Sequence, residues 1–143
     1  MMKQTVASIC VLGLCSVQLV LAQLPTSSFG LPAENVQYKD IGQGGPQMGV
    51  AWGDPSKGPY GAFVRLPKGY VSPLHLHTGD YVGVVIEGTV TNAETGQEEV
   101  PLRPGSYFFQ KGNVDHVTKC VSSVDCLFYL NQSTPVDFIV HKK

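Results

Sequence analysis

From Met48 onward the chain is a succession of short segments rich in β-branched and aromatic residues, each closed by a turn signal. The segments are Met48–Trp52, Gly61–Leu66, Leu74–His77, Tyr81–Ile86, Thr89–Asn92, Glu98–Val100, Ser106–Gln110, His116–Lys119, Cys126–Leu130 and Asp137–Val140. Between them lie Asp54-Pro55, Pro67-Lys-Gly69, Glu94-Thr-Gly96, Arg103-Pro-Gly105 and Lys111-Gly-Asn113, residues that pre-set turn dihedrals. No stretch of this region holds helical periodicity for three turns, and no repeat of 20–50 residues appears. Evenly spaced short strands without helices predict an all-β sandwich or barrel.

The first 22 residues do not belong to that pattern. Met1-Met-Lys3 gives a short positive start, Val6 to Ala22 is almost wholly apolar or small, and Val20-Leu-Ala22 forms a cleavage-site pattern before Gln23. This predicts a secretory signal peptide over 1–22, because the apolar run, broken by Ser16 and Gln18, is shorter than the ~20 residues a membrane span needs. Residues 23–46, rich in Gly, Pro, Ser and Gln, read as an N-terminal arm or loop, and 47–143 as the domain. The expected location is secreted or periplasmic, with no membrane association once the leader is cleaved. Of four cysteines, Cys10 and Cys15 fall in the leader, leaving Cys120 and Cys126 for an oxidising compartment. Ser122, Ser123 and Asp125 between them suit a turn, so a disulfide across a hairpin is expected.

A formal net charge of −1 and 15% charged residues offer no basic stripe to neutralise phosphates, so nucleic acid is excluded as a partner. The chemistry-bearing residues are instead three of the four histidines. His75 and His77 stand at i and i+2, which on a strand puts both on one face, able to grip one ion from one wall. His116 opens a later strand, whereas His141 is expected to be exposed.

The spacing around these histidines resembles the two motifs of the cupin superfamily, over residues 60–131. Gly69, five residues, His75-x-His77 and then Gly88 fall in register with the first motif, and Gly105 and His116 keep the spacing of the second. The resemblance implies a double-stranded β-helix, or jelly-roll, barrel and one divalent metal ion held by His75, His77 and His116. Three departures accompany it. Tyr81 stands where the family's metal-binding glutamate would be, with Asp80 just before it; Lys111 and Asn113 replace a proline and a glycine; Cys120 takes the position of an asparagine.

Three neutral imidazoles with open positions suit Fe²⁺, Zn²⁺ or Mn²⁺, and the missing carboxylate leaves the ion more positive, favouring an anionic ligand. The candidates for a fourth ligand are Tyr81, otherwise a wall residue of the barrel, and Asp80, which one position off the strand register also reads as a solvated or turn carboxylate; Tyr81 is also the candidate catalytic group. Glu87 reads as a rim residue, and Asn131-Gln-Ser133 as a glycosylation sequon. Phe63, Val85, Tyr107, Phe109, Phe128 and Tyr129 are expected to divide between the barrel interior and its outer face.

Two functions follow, beside a purely structural reading as an empty barrel with an interaction role. One is an Fe²⁺ dioxygenase-like enzyme acting on a small organic anion, similar to cupin oxygenases that use three histidines. The other is a non-catalytic metal- or ligand-binding module, similar to the zinc cupin domain of some anti-sigma factors. Either takes a small molecule as its partner, and a homodimer is left open.

Overall fold

The computed structural model of the protein describes residues 24–42 and 45–140. The expected signal peptide and His141 lie outside these residues. A 3₁₀ turn at Ala33–Asn35 is followed by ten strands: β1 Tyr38–Asp40, β2 Gln47–Gly53, β3 Tyr60–Leu66, β4 His75–Leu76, β5 Tyr81–Glu87, β6 Val90–Glu94, β7 Tyr107–Gln110, β8 His116–Cys120, β9 Cys126–Gln132 and β10 Ile139–Val140. They form two antiparallel sheets, ordered β1-β2-β3-β9-β5-β7 and β10-β4-β8-β6. Among the described residues no helix is long and apolar enough to cross a membrane.

Two differences from the sequence expectation concern strand existence. Part of the segment read as an arm or loop forms β1, an edge strand in register with β2, Tyr38 opposite Gly49. Gly49 permits this approach, because a Cβ there would lie 2.3 Å from a Val36 methyl. Arg65 lies over the Tyr38 ring at 4.2 Å and fastens the strand from outside. Glu98–Val100, in contrast, is not a strand. It is an exposed connection whose Glu99 reaches back to Thr91 and Lys119, and only Leu102 pairs, opposite Val90.

Strand alternation decides what lies inside. Tyr60, Ala62, Val64 and Leu66 of β3 point inward, as do Gln132, Leu130, Phe128 and Cys126 of β9, which pair with them in that order. The register continues across β5 and β7, so Tyr60, Gln132, Tyr81 and Gln110 make one buried row over four strands. The next row is Ala62, Leu130, Gly83 and Phe108. Gly83 is required there, since the Phe108 ring passes 2.3 Å from where its Cβ would be. The opposite sheet follows the same gradient: His75 opposite His116, then Asn92 opposite Thr118, then Val90 opposite Cys120. One end of the interior is therefore polar and the other apolar.

Of the aromatic and apolar residues expected to divide between the faces, Val85 and Phe128 are core, whereas Tyr107 and Phe109 are exposed and Phe63 and Tyr129 lie partly buried on the outer face. Trp52 also packs there, donating its indole N–H to the Tyr129 hydroxyl at 2.8 Å.

Cys120 and Cys126 form a disulfide. They do not face each other across a β-hairpin ladder, because β8 and β9 belong to different sheets. The bridge instead ties the sheets together at the apolar end. Replacing both cysteines by alanine should cost roughly 2 kcal/mol by loop-entropy reasoning, read as a lowered urea midpoint. The grouping of His75, His77 and His116 at the other end should be unchanged in that variant, as the chemical shifts of their imidazoles should record.

Candidate metal centre

His75 lies on β4, His77 just beyond it, and His116 starts β8 directly opposite His75. Their ligand atoms all lie within 4.8 Å of one another. His75 and His116 are buried and His77 nearly so. The rings of His75 and His116 sit 4.2 Å apart, centre to centre.

Each imidazole is oriented through its Nδ1. That of His75 lies 2.9 Å from the Pro73 carbonyl oxygen, and that of His116 lies 3.0 Å from Val114 O. His77 Nδ1 bonds to the carbonyl of Asp137, sixty residues away. A carbonyl only accepts, so the hydrogen sits on Nδ1 in all three rings and each Nε2 keeps its lone pair. This is the donor set a divalent transition metal takes, with the outer nitrogen of each ligand held by a fixed acceptor.

The histidines are held neutral as well. Burial pushes His75 down to about 4, with the neighbouring His116 and His77 adding to the effect against the Pro73 bond. Burial also lowers His77 and His116, against their bonds to Asp137 and Val114. Phe138 covers the cluster, stacked on the His75 ring at 4.1 Å and edge-on to His77.

Tyr81 reaches this cluster. Its hydroxyl lies 3.4 Å from His116 Nε2, and its ring meets His77 edge-on at 5.3 Å. Burial raises its pKa, with the neighbouring Tyr60 acting the same way, while Asn92 and Thr118 beside the hydroxyl act in the opposite direction. It is therefore a neutral phenol and a hydrogen-bond donor. Of the two readings of Asp80, fourth ligand or turn carboxylate, the structure has the second: Asp80 is not part of the cluster. One residue before the start of β5, its carboxylate turns to Lys111 Nζ at 2.9 Å and Gly112 N–H at 2.7 Å, bracing the 111–113 turn. Asn113, at φ 60°, donates its own N–H to His77 O from that turn. Glu87 is exposed at the end of β5 away from Tyr81.

Sequence reasoning missed Asp137 and Phe138 as site residues, although it placed a strand on them. It also missed the buried carboxamides Gln110 and Gln132. Alternation from Tyr81 finds neither, since their place beside it depends on pairing between distant strands.

Residues 34–140 match a family described as a domain of unknown function (DUF4437). Among solved structures, an RmlC-like cupin from Shewanella frigidimarina is 24% identical with a TM-score of 0.63, over 82% of this chain and 97% of that one. The chain belongs to the DUF4437 family, and its fold is that of the cupins. KdgF from Halomonas sp. is 22% identical, with a TM-score of 0.61 over 76% of this cupin and 94% of its own length. The polyketide cyclase RemF from Streptomyces resistomycificus is 12% identical, with a TM-score of 0.70 over 82% and 87%. No curated protein sequence matches the chain.

Replacing His75, His77 or His116 by alanine should each remove most bound metal in elemental analysis, whereas Asp80→Ala should retain it. The metal-free protein should also lose stability in acid. Between 6.5, the ordinary histidine value, and about 4, the unfolded chain takes up protons that buried His75 refuses. The stabilisation is thus full above pH 6.5 and falls as the pH drops toward 4, as urea midpoints across that window should record.

Proposed function

We propose that this cupin is a metal-dependent enzyme acting on a small organic anion, with one divalent ion held by His75, His77 and His116. The observation that carries this reading is the neutral, buried Tyr81 hydroxyl, placed 3.4 Å from a ligand nitrogen. A bound ion supplies Lewis-acid polarisation and, as Fe²⁺, access to O₂ chemistry of the oxygenase type. The residues do the rest. Tyr81 can donate its proton to a ligand oxygen beside His116 and hold the anion there.

The preference for an anion follows from charge. All three donors are neutral, and the Asp137 carboxylate lies 3.9 Å from His77 on its Nδ1 side, where it accepts the Thr78 N–H at 3.0 Å. No donor of such a site neutralises the ion, whose positive charge attracts a carboxylate or similar group. That the fold carries enzymes of small-molecule chemistry, such as a polyketide cyclase, is consistent with this reading. Export is part of the proposal, supported by the Cys120–Cys126 bridge and by the leader-like sequence of residues 1–22.

Tyr81→Phe keeps the ring and deletes only the hydroxyl. In protein loaded with Fe²⁺, Zn²⁺ or Mn²⁺ and screened against small carboxylates, it should bind metal normally. Turnover should fall by roughly the 10²–10⁴-fold of a lost acid–base group. Undiminished turnover in Tyr81→Phe overturns the role of Tyr81. Anion binding without turnover in the parent would replace the enzyme by a binding module.

A further inference from the structure

The three ligands are not held alike. His75 and His116 each give their Nδ1–H to the carbonyl two residues earlier, Pro73 and Val114, so their orientation is built into the chain immediately before their own strands. His77 depends on the Asp137 carbonyl instead. The position of that carbonyl is fixed by its own side chain, because the Asp137 carboxylate accepts the Thr78 N–H at 3.0 and 3.2 Å. The segment carrying Asp137 is tied down at few other points: Val136 N–H to Pro55 O at 2.7 Å, and the two pairs Ile139–Leu76 and Val140–His75. Its Phe138 is half exposed yet stacked on His75.

We infer that Val136–Val140 is a strap that covers the metal centre and positions His77, so that opening the centre loosens one of its three ligands. Asp137 is a positioning residue: it acts on the metal only through His77. Phe138 is the cover, and lifting the backbone of the strap away from His75 carries the adjoining Asp137 carbonyl with it. Access and metal retention are therefore linked: the centre exchanges its ion or admits a ligand in the state in which His77 is least well held. A histidine that loses its outer acceptor gains rotational and tautomeric freedom, and loss of such a partner commonly weakens metal affinity by ~10–100-fold.

This inference rests on the three-histidine metal centre, and the experiment separates the two. Cobalt(II) titration of the parent and His75→Ala tests the centre itself. Equal affinity in both removes the site, and with it the strap's role. Given a parent that binds and a His75→Ala that does not, Asp137→Ala should weaken cobalt binding about tenfold. Asp137→Asn, which keeps an oxygen for the Thr78 N–H, should restore most of it.

In the metal-free protein, ¹⁵N spectra of the imidazoles should show Asp137→Ala shifting His77 alone away from the Nδ1–H tautomer. General destabilisation would not select one ring. Phe138→Ala leaves every hydrogen bond of the strap in place. It should speed removal of cobalt by a chelator severalfold, with the His77 tautomer unchanged. Parent-like affinity and His77 spectra in Asp137→Ala overturn the positioning role, and parent-like extraction from Phe138→Ala overturns the cover. The Phe138 variant decides the second point even if Asp137→Ala fails to fold.

Discussion

The structure depends on the register that aligns Tyr60, Gln132, Tyr81 and Gln110 across four strands. Side chains alternate with a period of two, so a slip of one residue at any of these pairings would turn a polar row out and an apolar one in. Buried polar groups are expensive unless bonded, and this row is bonded. Tyr60 donates to Gln132 Oε1 at 3.1 Å, and the Gln132 amide donates to Thr134 Oγ1 and Pro135 O. Asn92 donates to Gln110 Oε1 at 2.7 Å and accepts from Thr118 at 2.6 Å, joining the two sheets through side chains. The imidazoles close the same layer.

A polar layer contributes specificity more than stability, so the opposite end must supply cohesion. There Leu66, Val64, Val85, Val90 and Phe128 pack around the Cys120–Cys126 bridge, all buried. The division of labour explains why a chain of this size can hold a partly hydrophilic interior. One end is stapled covalently and packed, and the other is free to be shaped by chemistry rather than by close packing.

How much of this was legible in the sequence depends on the range of the interaction. The strands with β-branched and aromatic runs were legible, because alternation and turn residues are local. Tyr38–Asp40 was not, because it has no apolar pattern and is held by Gly49 and Arg65, both distant in the chain. The His75, His77 and His116 grouping was legible through i, i+2 spacing and motif resemblance. The turn role of Asp80 was legible from its one-residue offset from the strand register, but not that its partners are Lys111 and Gly112. The cysteine pair was legible, but not that it spans two sheets. The strap lay hidden for the same reason: Asp137–Val140 reads as a strand, and its contact with His77 crosses sixty residues.

Tyr81 in the place of a glutamate has a consequence for the metal-free state. A carboxylate there would stand in a buried layer whose neighbours are neutral imidazoles, carboxamides and hydroxyls, with no cation to pair with it. It would either stay protonated or draw a proton onto a histidine, and a charge formed in the interior is costly unless paired. A phenol avoids both, because burial only reinforces its neutral form. With Nδ1 donating to carbonyls and burial lowering all three histidines, the imidazoles and the phenol enter the fold uncharged. The barrel is then complete without a metal. On the proposed function, the positive charge of a bound ion is left for an incoming ligand to neutralise, rather than for the protein.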